Sequence, residues 1–353
     1  MKEVFVFGAG ASKAAADAPL GSELVWQYPA QCDRFTQRSA PTPKERIPDF
    51  TRFLEVAAEI FPEKKQELDR WNKLDPQQMF RNLQDKKYYV DNLLKELQHR
   101  GNSEAAESVR KLIFKHIIGP TRRKYNQHTL YEDFKQKILR NRKPGTIAII
   151  SFNFDFLLHE DVGDALSFDY LLDFNWIESD RRSSSNGIPL IKLNGSLDWG
   201  ICRKCDHLHM YIYPMQPSFY DQKKCTNHGC EGVVEPFIVI PHEEYVGRIG
   251  VLWTKAKETL SQACKITIIG YSFPEYDKRV IRLFEESLRS NAEIAEIEVV
   301  DKSNIRNHNF AVKRRKEKEV KEKYRQMFPE LINEVKVQLG GFEEYMKSYQ
   351  ESQ

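Results

Sequence analysis

Two pairs of cysteines carry the most specific chemical pattern in this sequence. Two residues separate Cys202 from Cys205, four separate Cys225 from Cys230, and 19 residues lie between the pairs. Thiolates at this spacing form the two knuckles of a tetrahedral zinc site. Because cysteine fills all four positions, we predict a closed structural Zn²⁺ site without an open position for catalysis. Three nearby histidines are alternative ligands: His207, His209 and His228.

A second set of chemically useful residues comes directly after apolar segments. These segments are rich in β-branched side chains and predict strands. They span residues 3–7, 146–151, 190–193, 265–269 and 294–300. In open α/β sheets, ligands bind beyond the carboxyl ends of the strands. The residues that follow the segments are therefore candidates for a binding site: 8–12 (GAGAS), 151–155 (SFNFD), 194–196 (NGS), 270–272 (GYS) and Asp301.

Three of these five strand ends combine glycine with serine, which predicts a nucleotide site. Glycine-containing turns let backbone amides approach a phosphate group closely. The first turn departs from the dinucleotide fingerprint G-x-G-x-x-G, since Lys13 occupies the third glycine position. The sequence near residue 30 shows no second strand that ends in a ribose-binding acid, and this disfavours an ordinary dehydrogenase.

Strands that alternate with helices predict an α/β fold with a Rossmann-like, doubly wound parallel sheet. Residues 32–142 are highly charged and mostly helical in pattern, with a capping box at Thr129 and Glu132, so we expect a large helical insertion there. The expected organisation is a nucleotide-binding domain of residues 1–31, 143–200 and 236–310, the insertion at 32–142, a small zinc-binding module at 201–235 and a helical tail at 311–353.

Charge and hydropathy exclude several classes of protein. The chain has 353 residues, and 54 Lys and Arg residues against 51 Asp and Glu residues give a net charge of only +3. So small an excess does not indicate direct nucleic-acid binding. No apolar run reaches the roughly 18 residues of a membrane span, and the N-terminus lacks the pattern of an export signal. We therefore expect a cytoplasmic protein without a membrane partner, whose cysteines are reduced or metal-bound.

Taken in order along the chain, the motifs resemble those of the sirtuin-like superfamily. They are GAGAS, SFNFD, KLNGSLDW, the two cysteine pairs and GYSFPEYD. More narrowly, they resemble the bacterial branch of NAD-consuming proteins in phage defence. The motifs span residues 4 to 301, so the resemblance covers most of the chain but neither the helical stretch at 32–142 nor the tail.

The resemblance implies NAD as the ligand and assigns roles to individual residues. Asn153 and Asp155 would lie at the nicotinamide–ribose end and, with Asn194, form the catalytic set. The turn at residues 8–12 would surround the diphosphate, and Asp301 would approach the adenosine. The implied NAD-binding residues are Gly8, Ala9, Gly10, Ala11, Ser12, Pro19, Asn153, Asp155, Gly195, Ser196, Gly270, Ser272 and Asp301.

One position departs from the family pattern. The catalytic histidine that precedes the glycine of the third motif is Asn194 here, and an amide cannot act as a general base at neutral pH. A protein deacylase is therefore disfavoured. Hydrolysis of NAD to nicotinamide and ADP-ribose asks less, because it needs a good leaving group and a water that captures an oxocarbenium-like centre. Asn153 is the residue expected to orient that water.

The first expectation is therefore an NAD glycohydrolase in bacterial antiphage defence. The alternative is a non-catalytic NAD or ADP-ribose sensor, or a regulatory subunit of a defence complex, and Asn194 favours this alternative. A third interpretation is an interaction subunit whose helical insertion and tail build an oligomer. Because uncontrolled cleavage of NAD would be toxic, we expect regulation by homo-oligomerisation or by a partner such as an ATPase, a nuclease or an Argonaute-like subunit.

Overall fold

The computed structural model of the chain describes most of the segments that carry the predicted motifs. The described residues are 2–18, 20, 48–69, 90–102, 105–106, 109–110, 112–114, 117, 121, 127–143, 145–159, 166–177, 186–202, 204–211, 224–239, 248–275, 277–302, 310–328 and 335–351. Pro19, for which a place in the NAD site was expected, lies outside the described residues.

The described strands form two sheets. The strands are β1 Lys2–Phe7, β2 Ile147–Ser151, β3 Phe168–Asp169, β4 Asn175–Ile177, β5 Ile188–Lys192, β6 Gly195–Cys202, β7 Leu208–Tyr211, β8 Val234–Ile238, β9 Ala263–Ile269, β10 Glu296–Val300 and β11 Val335–Gln338. Seven strands form the main sheet in the order β11-β10-β9-β1-β2-β5-β3, and every pairing in it is parallel. The predicted parallel α/β fold is thus confirmed.

The described helices pack in two hydrophobic cores: those at residues 9–16, 130–134 and 248–351 pack with the main sheet, and those at residues 48–99 pack with the second sheet. The helices are α1 Ala9–Ala16, α2 Pro48–Ile60, α3 Lys65–Asp69, α4 Val90–His99, α5 Leu130–Phe134, α6 Arg248–Ser261, α7 Lys278–Arg289, α8 Phe310–Met327 and α9 Gly341–Glu351. A 3₁₀ turn, Pro62–Lys64, precedes α3, and a π-helical turn, Lys135–Leu139, continues α5. In the part of the chain that is described, no helix is both long enough and apolar enough to span a lipid bilayer.

The central strand β1 shows why these segments form a buried parallel sheet. All four residues from Val4 to Phe7 are fully buried, so both faces of the strand are covered. On one face, Phe5 and Phe7 contact the ring of Phe134 in α5 at centroid distances of 4.9 and 5.0 Å. Phe7 also contacts Phe342 in α9. A continuous run of large apolar side chains can be buried on both faces only if helices cover both.

Helix α5 belongs to this core, although the sequence analysis placed it in the helical insertion. Its predicted cap is present, since the hydroxyl of Thr129 accepts a hydrogen bond from the amide of Glu132. Tyr131 and Phe134 are fully buried against the main sheet. The sequence boundary at residues 142 and 143 therefore separates a helix from the domain whose core it helps to build.

The second sheet corrects the expected cysteine loop. Its order is β4-β7-β6-β8, and β6 runs antiparallel to both β7 and β8. The sequence predicts a strand-end motif at residues 194–196 and a separate zinc-binding module at 201–235. Instead Gly195 and Ser196 begin β6, which runs on to Cys202, and every residue of that strand is buried. Strand β8 pairs with β6 and ends at Ile238, beyond the expected module.

The C-terminal segment also differs from the helical tail that was expected. Helix α8 is present, but β11 follows it and pairs in parallel with β10 at the edge of the main sheet. Helix α9 then packs against α1 and α5. The Lys/Glu-rich sequence of α8 led to the prediction of a helix for the whole segment. The strand itself alternates apolar and polar residues, as a half-buried strand does: Val335 is buried and Lys336 is exposed.

Candidate functional site

The carboxyl edge of the main sheet collects the predicted strand-end motifs in a single row. In spatial order, β10, β9, β1, β2 and β5 end next to Asp301, Gly270, Gly8, Phe152 and Leu193. The order of the strands reverses between β1 and β9, because β2, β5 and β3 lie on one side of β1 and β9 to β11 lie on the other. Such a switch point is where open α/β sheets bind their ligands.

At this switch point, the turn after β1 packs directly on the turn after β9. The amide of Gly10 donates a 2.9 Å hydrogen bond to the carbonyl of Gly270. A Cβ on Gly10 would lie 3.0 Å from Gly270, and a Cβ on Gly270 would lie 2.2 Å from the amide nitrogen of Ala11. Gly270 also has φ +65°, which disfavours other residues. These glycines are therefore needed for the contact between the two turns.

The same contact limits which amides of the turn can reach a phosphate. The amide of Gly10 is engaged by Gly270, and the amide of Ala11 donates to the carbonyl of Gly8. The amide of Ala9, at the N-terminus of α1, has no acceptor within the described part of the chain. A helix N-terminus with a free amide fits an anion such as the diphosphate of NAD.

Next to this turn, four polar side chains form a buried hydrogen-bonded cluster. The hydroxyl of Ser12 donates to Oδ2 of Asp155 at 2.5 Å and lies 3.0 Å from the hydroxyl of Tyr131. The side-chain amide of Asn153 donates to Ser12 Oγ at 2.8 Å, and its nitrogen lies 3.1 Å from the hydroxyl of Tyr131. The predicted residues Ser12, Asn153 and Asp155 are thus in direct contact. Each is less than a tenth exposed.

The direction of donation in these hydrogen bonds leads from Tyr131 through Ser12 to Asp155. Because Ser12 gives its only proton to Asp155, the hydroxyl of Tyr131 must donate to Ser12 rather than accept from it. Burial, and after it the charge of Asp155, raises the pKa of Tyr131 well above its ordinary value. The phenol therefore keeps its proton, and the cluster ends on the carboxylate of Asp155.

The position of Asn153 leaves one atom for a ligand. Its Nδ2 also donates to the carbonyl of Gly8 at 2.9 Å. Since a carbonyl only accepts, this contact fixes which side-chain atom is nitrogen and which is oxygen. The Oδ1 of Asn153 has no hydrogen bond within the described residues. Asn153 therefore offers an oxygen atom that can accept a hydrogen bond from a water molecule.

Tyr131 is a site residue that the sequence analysis missed. It lies in a segment assigned to the helical insertion, more than 100 residues from Ser12 along the chain, and no motif marks it. The one available signal was its position directly after the Thr129 cap, two positions into a helix with an apolar face. That signal predicts burial but not a polar role.

Side chains of the third motif (KLNGSLDW) donate hydrogen bonds to backbone carbonyls of the second motif (SFNFD) and hold it in place. Nδ2 of Asn194 donates to the carbonyl of Phe152 at 3.0 Å, and the hydroxyl of Ser196 donates to that of Phe154 at 3.3 Å. Lys192 is buried, and its ammonium donates to the carbonyl of Asp155 at 2.5 Å. Asn194 thus holds the segment that carries Asn153 and Asp155, and its contact is made by the donor atom Nδ2.

Four other predicted residues have no hydrogen bond to this cluster within the described part of the chain. Ser196 is fully buried and Gly195 begins the second sheet, where a Cβ would lie 2.2 Å from the carbonyl oxygen of Phe237. Ser272 is exposed, and its carbonyl accepts a hydrogen bond from Lys323 in α8. Asp301 bonds through its backbone to Gln338 of β11 and to Gly341. Their roles in binding NAD stay predictions.

The four predicted zinc ligands converge. The sulfurs of Cys202, Cys205, Cys225 and Cys230 all lie within 4.8 Å of one another. The closest pairs are Cys202 with Cys230 at 3.6 Å and Cys205 with Cys225 at 3.5 Å. Sulfurs bound tetrahedrally to Zn²⁺ at about 2.3 Å are separated by about 3.8 Å. The thiols therefore fit a zinc ion, and four of them leave no open position on it.

The surroundings of the thiols also suit a metal. The amides of Asn227 and Gly232 each donate to a cysteine sulfur at 3.4 Å, contacts that favour the thiolate form. For Cys205, burial opposes ionisation, but the amide of His207 and the side chain of Asn227 lower the pKa to about 6. Burial and the neighbouring thiols raise the pKa of Cys225 to about 12, so one thiol of the four ionises more readily than its neighbour. His209 is buried with Nε2 3.4 Å from Cys225, as a neighbour of the four sulfurs.

Comparison with known proteins gives similarity at the level of solved structures. No protein-family model and no curated protein matches the chain. Solved structures similar to it include Sir2Tm bound to a propionylated peptide, with 13% identity, 99% of this chain and 92% of that chain covered, and a TM-score of 0.40. Another is Sir2 bound to an acetylated peptide, with 13% identity, 99% and 92% covered, and a TM-score of 0.43. A complex of Sir2 with an inhibitor, 2′-O-acetyl-ADP-ribose and a deacetylated peptide has 13% identity, 99% and 93% covered, and a TM-score of 0.41.

Proposed function

We propose that this chain is a sirtuin-like NAD glycohydrolase that releases nicotinamide and ADP-ribose. The observation that carries the proposal is the cluster at the carboxyl ends of β1 and β2. Ser12, Asn153 and Asp155 come from two separate motifs, yet they are joined by direct hydrogen bonds. The fixed orientation of Asn153 leaves Oδ1 as a hydrogen-bond acceptor at this point.

In the proposed reaction, the bond between nicotinamide and the ribose breaks and nicotinamide leaves with the electron pair. Water adds its oxygen to the anomeric carbon and releases one proton. The Oδ1 of Asn153 accepts a hydrogen bond from that water and orients it. The carboxylate of Asp155 stabilises the positive charge that develops on the ribose, as a carboxylate does in glycoside hydrolysis.

The amide of Ala9 and the N-terminus of α1 support the binding of the diphosphate in this proposal. The turns at Gly10 and Gly270 then provide the walls of the site rather than its donors, since their mutual contact uses the amide of Gly10. The second sheet contributes indirectly in this proposal. Its strand β6 starts directly after Asn194 and helps to position the segment that holds Asn153 and Asp155.

The experiment is incubation of the purified full-length chain with NAD, followed by chromatography of the products. We expect nicotinamide and ADP-ribose in equal amounts, and their loss in Asn153→Ala. Asn186→Ala is the matched control, because Asn186 is exposed and lies outside the cluster. Calorimetry on the same samples measures NAD binding. If NAD binds and no nicotinamide is released, the glycohydrolase is excluded.

A non-catalytic sensor of NAD or ADP-ribose is the second candidate, and one observation favours it. Asn194 stands where a titratable histidine was expected, and its Nδ2 is used on the carbonyl of Phe152. A site without that base could bind the dinucleotide and leave it intact. Binding of NAD and ADP-ribose with similar affinity, without turnover, would be the result expected of a sensor.

A role in antiphage defence is the physiological part of the proposal, and the order of the sequence motifs supports it. The corresponding experiment expresses the chain, with its neighbouring genes, in bacterial cells and compares phage plating with that on cells that carry Asn153→Ala. Protection that depends on Asn153 is expected. Light scattering on the purified chain, alone and with a co-expressed ATPase, nuclease or Argonaute-like neighbour, tests regulation by assembly.

A further inference from the structure

A buried group of charged side chains lies directly beside the segment that carries Asn153 and Asp155. Nε2 of His159 lies 2.8 Å from Oδ2 of Asp198, and the two side chains are only 3% and 7% exposed. His159 ends the turn that follows Asp155, and Asp198 lies on β6. A carboxylate so buried carries a large desolvation cost, which its contacts with His159 and Lys192 offset.

This pair is connected to the site through Lys192 and Ser196, two side chains of the third motif that donate hydrogen bonds to backbone carbonyls of the second motif. The ammonium of Lys192 donates to the carbonyl of Asp155, and the charges of Lys192 and Asp198 attract each other. The hydroxyl of Ser196, two residues before Asp198 on β6, donates its one proton to the carbonyl of Phe154. Asp198 is thus close in sequence to Ser196 and electrostatically coupled to Lys192, the two side chains that hold the carbonyls of Phe154 and Asp155.

Protonation within the pair can be assigned from the contacts. Burial alone would raise the pKa of Asp198, but His159 and Lys192 outweigh burial and hold it below its usual value. Burial lowers the pKa of His159 although Asp198 opposes this shift. With an ionised carboxylate and a neutral imidazole, the proton must be on Nε2, because a carboxylate only accepts. The Nδ1 of His159 is buried without a partner among the described residues.

The charge of the group depends on this one imidazole. The groups that face His159 are Asp198 from β6, Lys192 from β5, Asp155 from the preceding turn and the ring of Tyr170, which follows β3. Burial lowers the pKa of Lys192, although Asp155 and Asp198 favour its ammonium form. With the ammonium form and a neutral His159, the two carboxylates leave a net charge of −1. Protonation of His159 would bring it to zero. A net negative charge beside the site favours the cation that develops when nicotinamide leaves.

We propose that His159 and Asp198 are a positioning pair that supplies the titratable group of this site and acts through Lys192 and Ser196 on the backbone that carries Asn153 and Asp155. This inference rests on the proposed NAD hydrolysis. It places the pH response of the site at His159, although position 194 has no titratable group. Cleavage of NAD is then lost as the pH falls and His159 takes up a proton.

The kinetic experiment compares full-length His159→Gln and Asp198→Asn with the wild type between pH 5 and pH 9. We expect kcat to fall by about 10²-fold in both variants, as for a displaced positioning group, with KM changed far less. The acid limb of the kcat profile should disappear in His159→Gln. His128→Gln is the matched control, because it breaks an exposed His–Asp contact of 3.1 Å with Asp133. A wild-type acid limb in folded His159→Gln would overturn the proposal.

A second measurement uses the wild-type protein and does not depend on activity. Nitrogen-detected NMR of ¹⁵N-histidine protein, with the His159 signal assigned by its loss in His159→Gln, reports the tautomer and the pKa of the imidazole. We expect the Nε2–H tautomer and a pKa below the ordinary value of about 6.5. An Nδ1–H tautomer, or titration at or above that value, would overturn the pairing. If the imidazole behaves as expected and NAD is not cleaved, the proposed function fails and the pairing stands.

Discussion

Ser12 and Asp155 are 143 residues apart in the chain, and the hydroxyl of one donates a 2.5 Å hydrogen bond to the carboxylate of the other. This contact joins the turn after β1 to the segment after β2. It forms because β1 and β2 are adjacent parallel strands, whose carboxyl ends must lie side by side. Removal of either side chain leaves a buried partner unsatisfied, which is more costly than the bond itself is worth.

The first prediction concerns the water-orienting role of Asn153. Asn153→Ala should lower the rate of nicotinamide release by roughly 10²-fold or more, a loss typical of a positioning group at the reacting centre. Single-turnover kinetics with excess protein measure the chemical step directly. Unchanged single-turnover rates in folded Asn153→Ala would remove Asn153 from the reaction.

The second prediction concerns the coupling of Tyr131 to Ser12. Tyr131→Phe keeps the ring contacts to Phe7 and Phe342 at 5.4 and 5.5 Å and removes only the hydroxyl. We expect the free energy of unfolding to fall by about 1 kcal/mol, with a similar or larger loss in Ser12→Ala. The double variant should cost less than the sum, by about 0.5 kcal/mol or more, because the two groups share one network. Denaturant unfolding of the four proteins measures the coupling, and additive effects would contradict it.

The third prediction concerns the metal. Cys205→Ser and Cys225→Ser should lose bound zinc and unfold at a lower temperature, since the binding free energy of a structural metal is folding free energy. Cys264→Ser is the control, because its sulfur lies outside the cluster and bonds to the carbonyl of Lys2. Elemental analysis gives the zinc content, and about one zinc per chain is expected in the wild type. Protein purified without chelator that contains no zinc would contradict the prediction.

The fourth prediction concerns the donor at position 194. Asn194→His can keep a ring N–H on the carbonyl of Phe152 and adds a titratable group, so activity should rise or acquire a pH dependence near the ordinary histidine value of about 6.5. Asn194→Ala should weaken binding and rate together. Asn194→Asp should do more damage, because a carboxylate would face a carbonyl oxygen 3.0 Å away. If folded Asn194→His binds NAD and changes neither rate nor pH profile, residue 194 does not face the ribose.

The fifth prediction concerns the two glycines at the switch point. Gly270→Ala should lower the free energy of unfolding by at least about 2 kcal/mol, since its Cβ would overlap the amide of Ala11. Gly10→Ala should cost less, because its nearest contacts lie at 3.0 Å. Gly145→Ala is the control for conformation alone, with φ +85° and open space around the Cβ. Equal losses at Gly270 and Gly145 would show that the contact between the turns contributes nothing.

Substitution of Gly10 is a poor test of phosphate binding. Gly10→Val would overlap Gly270 and displace the turn, so loss of NAD binding would come with loss of stability. A substitution that removes the amide of Ala9 is a more direct test of binding to the diphosphate, because this amide is the donor left for an anion. Ala9→Pro removes that amide at the first helical position, where proline is tolerated. Weaker NAD binding with unchanged stability is expected, as measured by calorimetry and thermal unfolding.

The sequence by itself determined the parallel sheet and the metal site. Runs such as residues 147–150 are apolar at every position, and only a strand covered on both faces buries such a run. The cysteine spacing is equally restrictive, because few backbone paths bring two close thiol pairs together except around a metal. The cap at Thr129 is local as well, since its two partners are three residues apart.

Only the tertiary structure decided which polar residues meet. Tyr131 joins Asn153 because α5 packs on β1, and His159 joins Asp198 because a turn after β2 lies beside β6. No local pattern encodes such contacts, since they depend on how separate elements dock. Strand β11 does alternate apolar and polar residues, but four residues of alternation are a weak signal beside a long Lys/Glu-rich stretch, and its place in the sheet depends on the open edge of β10.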